Sequence, residues 1–171
     1  MKANLRTMVT VALLIAVEVV LSRFCSIATP IVKIGFGFAP IAVCGMLFGP
    51  LWAALAGGLA DIVGATLFPI GAYFPGFTIS AALTGAVFGL ALHRSSCRWM
   101  HLAIAVAANI LLITMLLTTF WLTIITDLSF LALLPARALQ AAIMAPIQMA
   151  VLSVLKKPVS LFIASMPAFH R

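Results

Sequence analysis

Acid is nearly absent from this sequence. Of 171 residues only three are Asp or Glu, against ten Lys and Arg. A soluble domain is roughly a quarter charged, because water must wet its surface. Here 8% of residues are charged and 65% apolar, with a mean hydropathy of +1.28. Too few polar side chains exist to cover a globule, so the solvent for most of the surface is lipid. Cysteine is sparse as well. Cys25, Cys44 and Cys97 are scattered in or beside apolar segments without metal-ligand spacing, and read as small apolar packing residues. Reactive motifs are also missing. There is no Gly-x-x-x-x-Gly-Lys-Ser/Thr loop for ATP phosphates, no His-Glu-x-x-His and no Gly-x-Ser-x-Gly. Neither a metal, a cofactor nor an enzyme activity is expected.

Long apolar runs are what the chain has instead. A hydrocarbon core of about 30 Å takes roughly 20 residues per helical crossing, so this length holds about five to seven spans. The runs are continuous in Ala, Leu and Ile, without the period-two alternation of a membrane barrel. The expected class is an all-α integral membrane protein, a bundle of six transmembrane helices with structured outer loops. The first helix is expected over Leu5–Ile27, ended by Thr29-Pro30. Its apolar run is too long for the core of a cleavable signal peptide. Ile31–Pro40 reads as an ordered loop and Ile41–Phe48 as a short apolar segment reaching the Gly49-Pro50 turn. Helices follow over Leu51–Leu67 and Thr78–Leu92, separated by an irregular aromatic stretch, Phe68–Phe77. After a basic turn, His93–His101, come Leu102–Thr126, a turn over Asp127–Pro135, and Ala136–Leu155. Lys156-Lys157-Pro158 is expected to stop the sixth helix. Residues 1–158 thus form the membrane domain, and 159–171 an apolar tail lying at the interface.

Charge placement orients the bundle. Lys2 and Arg6, Arg94 and Arg98, and Lys156 and Lys157 all fall at ends that six crossings put on one side. Short basic links favour the cytoplasm, so both termini are expected inside. The net charge of +7 is mostly this signal, and nucleic acid is not an expected partner.

Three cations break the pattern. Arg23, Lys33 and Arg137 fall in the outer half or outer loops, where a charge beside lipid is costly and usually faces a cavity or a partner. Converging there, they suit an anionic solute. The structural alternative is snorkelling to headgroups, or pairing with Glu18 and Asp61. Those two carboxylates sit deeper, and read either as such counter-charges, the favoured reading, or as an ion relay. Around the cations lie Phe36, Phe38, Tyr73, Phe74 and Phe77, with Trp121 near the outer end of the fifth helix. Flat side chains beside irregular backbone can clamp a heteroaromatic ring, although an interfacial aromatic belt has the same composition. Ala12 and Ala16, four apart on the first helix, form a small-residue face for another helix.

The quoted runs are family-like. Lys33–Pro40, Gly45-Met-Leu-Phe-Gly-Pro-Leu-Trp52, Asp61-Ile-Val-Gly64 and Phe68–Thr78 resemble the substrate-binding (S) components of energy-coupling factor vitamin transporters, in particular the folate family. The likeness extends to Ala12-x-x-x-Ala16, Thr119-Phe-Trp-Leu122 and Leu134-Pro-Ala-Arg137, and covers the chain to about Leu155. It implies six helices that bind a vitamin near the outer face, with the first outer loop closing over it. It also implies docking, through the alanine face of the first helix, onto a transmembrane coupling subunit driven by two cytoplasmic ATPases. The setting would be a prokaryotic plasma membrane. The implied binding residues are Arg23, Lys33, Phe36, Tyr73, Phe74, Gly76, Phe77, Thr78, Trp121 and Arg137. Folate offers a flat pterin to the aromatics and two carboxylates to the cations. The same scaffold with another ligand, such as a queuosine precursor or pantothenate, and a stand-alone ion-coupled carrier remain alternatives.

Overall fold

The computed structural model describes residues 5–29, 32–69, 73–93 and 99–165. Lys2, Arg94, Arg98, Cys97, Pro167 and His170 lie outside the described residues. Six helices build the bundle, in the order α1 (Leu5–Arg23), α2 (Phe38–Phe48), α3 (Pro50–Leu67), α4 (Pro75–Leu92), α5 (Trp99–Thr126) and α6 (Phe130–Ser165). A two-stranded antiparallel hairpin, β1 (Ser26–Ala28) and β2 (Lys33–Gly35), sits between α1 and α2. All but α2 are long and apolar enough to cross a membrane.

The boundaries move for local reasons. The first helix ends at Arg23 rather than Ile27, because Ser26–Ala28 pair with Lys33–Gly35 instead. Gly35 permits that pairing: a Cβ there would stand 2.5 Å from the Cβ of Ser26. The expected loop Ile31–Pro40 therefore contains a strand and the first turn of α2. Pro50 and Pro75 open α3 and α4, since proline's missing N–H is spare in a first turn. The expected turn Asp127–Pro135 shrinks, because α6 already begins at Phe130. Lys156-Lys157-Pro158 does not stop that helix, which runs through Pro135, Pro146 and Pro158 to Ser165. In a bundle, neighbouring helices re-satisfy the backbone groups that proline frees. Val159, expected in a separate tail, is 9% exposed and part of the main core cluster.

Length differences position the site. With eleven residues, α2 spans about 16 Å, roughly half the hydrocarbon thickness. Eight of those eleven are buried, so α2 is an internal helix. Its start lies beside α1 at Glu18 and Ser22, which flank Gly37. The hairpin thus lies at the end of the bundle where α1 finishes and α2 begins. The opposite end is marked by His93, whose ring meets Gly49 at the α2–α3 turn. Main-chain contact joins α3 to α4: a Cβ on Gly57 would collide with the Ala81 carbonyl, one on Gly85 with that of Ala53, and one on Gly89 with Pro50. Close approach of this kind replaces hydrophobic driving force where the surroundings are as apolar as the helices.

Within α5, residues Asn109–Leu117 wind as a π-helix. Thr118 and Thr119 donate their hydroxyls to the carbonyls of Ile113 and Thr114, five residues back. Nothing in the apolar run foretells this wide turn.

Gly85→Val should lower the thermal midpoint in detergent, since overpacking costs about 1–3 kcal/mol and the obstacle is backbone. Gly58→Ala should leave it unchanged, because its Cβ would meet only Ala82 Cβ at 3.6 Å. Equal effects would contradict this account of the α3–α4 contact.

Candidate functional site

Polar side chains collect at the hairpin end of the bundle. Arg23 closes α1, where the helix's free carbonyls favour a cation. Its Nη2 lies 3.8 Å from Asp61 Oδ1 on α3, with the two side chains 11% and 23% exposed. Gly64, nearly a turn further along α3, leaves space for the guanidinium; a Cβ there would stand 2.7 Å from Arg23 Nε. Asp61 Oδ2 accepts a 2.8 Å hydrogen bond from Thr78 Oγ1 on α4. That uses the only hydroxyl proton of Thr78. The 3.1 Å contact with Tyr73 therefore runs from the phenol O–H to Thr78 Oγ1. A chain Arg23–Asp61–Thr78–Tyr73 ties α1, α3 and α4 together.

Arg137 anchors a second chain. It is 3% exposed on α6. Its Nη1 donates to Gln140 Oε1 at 2.5 Å, and Gln140 Nε2 donates to the Lys33 carbonyl at 2.6 Å. Arg137 Nε and Nη2 have no hydrogen-bond partner among the described residues. Those two nitrogens form the side edge of the guanidinium, which takes a carboxylate through two parallel hydrogen bonds. Lys33 keeps solvent contact at the start of β2. Desolvation by the packed protein, and then the Arg23 charge, push its ammonium below the ordinary lysine range; Glu18 and Asp61 oppose this. Glu18 is 9% exposed, and its Oε2 is unpartnered among the described residues.

A ring cluster completes the region. Phe74 meets Phe77 edge-on at 6.0 Å and Trp121 at 5.6 Å between centroids, and Trp121 meets Phe120 at 5.2 Å. Trp121 Nε1 donates to Ser80 Oγ at 3.2 Å, which fixes the indole against α4. Gly76 lies under these rings: a Cβ there would collide with Phe74 and come within 2.5 Å of Trp121. Edge-on and tilted contacts of this kind are the favoured geometries of packed aromatic rings.

The structure sorts the residues singled out in the sequence into three groups, with Lys33 joined only through its backbone carbonyl. Arg23, Tyr73 and Thr78 meet through Asp61, Lys33 and Arg137 through Gln140, and Phe74, Gly76, Phe77 and Trp121 around one ring cluster. Phe36 does not join them; it is 42% exposed and makes no ring contact among the described residues. Asp61 serves as counter-charge to Arg23, but Arg137 has no carboxylate partner among the described residues and leans on a neutral amide. Ala12 and Ala16 are both exposed on α1. Sequence reasoning missed Gln140, although an amide three residues after a membrane arginine shares its helix face. It also missed Ser80 and the buried Asn109–Gln148 pair, joined at 3.3 Å.

The model of the family described as ECF transporter, substrate-specific component, matches residues 6–164. The chain belongs to this family. It is 40% identical over 144 residues to the folate transporter FolT of Clostridium novyi (strain NT), covering 84% of each chain. It is 31% identical over 156 residues to the folate transporter FolT of Leuconostoc mesenteroides, covering 88% of this chain and 84% of that one. The crystal structure of FolT bound with folic acid superposes with a TM-score of 0.85 at 36% identity, over 89% of this chain and 93% of that one. An S-component for biotin matches in fold, with a TM-score of 0.66 at 17% identity over 89% and 91% of the two chains. As an S component, the chain is a multi-pass membrane protein.

Removing the counter-charge of Arg23 should be measurable without ligand. Asp61→Asn should lower the thermal midpoint; the cost lies below the 3–5 kcal/mol of breaking a fully buried pair, because Asp61 keeps 23% exposure. The double variant Arg23→Gln/Asp61→Asn should recover part of that loss. Strict additivity of the two single changes would mean that the pair is not coupled.

Proposed function

We propose that this chain captures folate at the outer face of a prokaryotic plasma membrane and hands it inward as part of an ATP-driven importer. The observation that carries the reading is the buried Arg137, whose free side edge is suited to a carboxylate and lies one amide away from the hairpin bearing Lys33. Folate supplies two carboxylates at one end and a flat pterin at the other, matching cations and rings found within one outer region. The relatives named folate transporter, and the related structure bound with folic acid, support the same ligand. In this reading Arg23, Lys33 and Arg137 neutralise the glutamate tail. Phe74, Phe77 and Trp121 stack on the ring system, with Gly76 giving the rings their spacing. Tyr73 and Thr78 brace the Arg23–Asp61 pair, and Phe36 meets the ligand from the hairpin side.

Transport belongs to an assembly. With no nucleotide-binding motif of its own, the chain works with a transmembrane coupling subunit and two cytoplasmic ATPases. The face of α1 carrying Ala12 and Ala16, exposed beside Met8 and Leu13, is the docking surface, and both termini lie in the cytoplasm. Ala16→Leu should abolish uptake by the reconstituted complex while leaving ligand affinity unchanged. Lost affinity in a folded variant would show that the two roles are not separable.

Folic acid should quench the tryptophan fluorescence of the purified chain at submicromolar concentration. No response at micromolar folate would remove the assignment. Arg137→Ala should weaken binding by about 1.5–3 kcal/mol, the size of a hydrogen bond to a charged group; unchanged affinity would return Arg137 to a structural role. A lowered Lys33 pKa has a definite sign here. The ammonium attracts the anion only while protonated, so affinity should fall on the alkaline side earlier than an ordinary lysine would give. Lys33→Arg should hold its affinity further into the alkaline range in the same titration.

A further inference from the structure

Gln140 makes two side-chain hydrogen bonds in the polar region at the hairpin end, one within α6 and one to the hairpin. Its Oε1 accepts from Arg137 Nη1 at 2.5 Å, one turn earlier on α6. Its Nε2 donates to the Lys33 carbonyl at 2.6 Å, across 107 positions of sequence, onto the first residue of β2. The side chain is 6% exposed and that of Arg137 is 3%. An amide suits this place. It carries an acceptor and a donor on one planar group, whereas a carboxylate would only accept and would also cancel the arginine's charge. By occupying the Nη1 end of the guanidinium, Gln140 directs the unpartnered Nε and Nη2 edge away from itself.

We infer that Gln140 is the positioning residue of the anion site: one amide aims the side edge of Arg137 at a ligand carboxylate and holds the β1–β2 hairpin beside it. Anion capture and hairpin placement are then linked through a single side chain. A carboxylate that pulls the guanidinium draws on the Gln140 oxygen, and the same amide plane transmits the pull to the Lys33 carbonyl. The Lys33 ammonium, one residue's side chain from that carbonyl, is kept near the same anion. The inference rests on the folate reading for the ligand, but its geometry concerns only this chain.

The test uses the full chain in detergent and two ligands: folic acid, and folic acid with both glutamate carboxylates converted to carboxamides. Gln140→Leu should weaken folic acid about tenfold or more, the scale of one charge-assisted hydrogen bond, and leave the diamide unchanged. Amide hydrogen exchange over Lys33–Gly35 should quicken in the same variant. Equal losses for both ligands would reduce Gln140 to general support and overturn the inference, as would unchanged folic acid affinity. Should Gln140→Leu fail to fold, Gln140→Glu separates the two bonds. It keeps an acceptor for Arg137, loses the donor to Lys33 and neutralises the guanidinium, so folic acid should weaken selectively and hairpin exchange rise. Wild-type affinity and wild-type exchange in Gln140→Glu would likewise overturn it. If the wild-type chain binds no folic acid, the folate reading falls, and hairpin exchange in these variants decides the Gln140 link by itself.

Discussion

A guanidinium sealed among apolar helices dictates the hairpin end of this protein. Arg137 is 3% exposed, its environment has a low dielectric, and an uncompensated charge there is costly. No carboxylate among the described residues meets it. Partial compensation comes from the Gln140 dipole, which is in turn held by a backbone carbonyl of the hairpin. The side edge left over is the most strongly acting polar feature of the region, because low dielectric amplifies any anion that reaches it. Arg23 presents a contrasting case. Its charge is answered within the chain by Asp61, so it contributes fewer unmet demands and more bracing.

Room for this arrangement comes from helix length. α2 covers only about half of the hydrocarbon thickness; its start lies beside Glu18 and Ser22 of α1, and the hairpin before it meets α6 through Gln140. The two short strands pair their backbone groups with each other, which meets the chief demand on non-helical backbone near a membrane. Stiffness is supplied at the other wall. Close backbone contact of α3 with α4 through Gly57, Gly85 and Gly89 gives Asp61 and Thr78 a fixed separation, on which their hydrogen bond depends. Trp121, set above the π-helical part of α5, is locked to α4 through Ser80.

Several errors of boundary share one cause. Proline is read as part of the turn before the next helix at Pro50 and Pro135 and as a stop at Pro158, whereas Pro50 opens α3 and the other two lie within α6. A first-turn proline loses nothing, and an interior proline in a bundle is relieved by its neighbours. Arg23, Lys33 and Arg137 were legible because a charge in an apolar run violates the local rule and so announces itself. Gln140, Ser80, Asn109 and Gln148 were not, since a neutral amide or hydroxyl in a membrane helix is cheap enough to pass as ordinary. The ring cluster was legible by composition but not by membership: Phe36, from the segment before α2, is in none of the ring contacts among the described residues.

Membrane residence, the helical class, the presence of cations in apolar surroundings and the family likeness follow from the order of residues alone, because each depends on local hydropathy, charge or motif. Which cation is already answered, which guanidinium edge stays free, and how Lys33 meets α6 depend on contacts across as many as 107 positions. Hydropathy carries no information about such pairings. They are decided when close-packed helices leave only one set of polar groups within reach of one another.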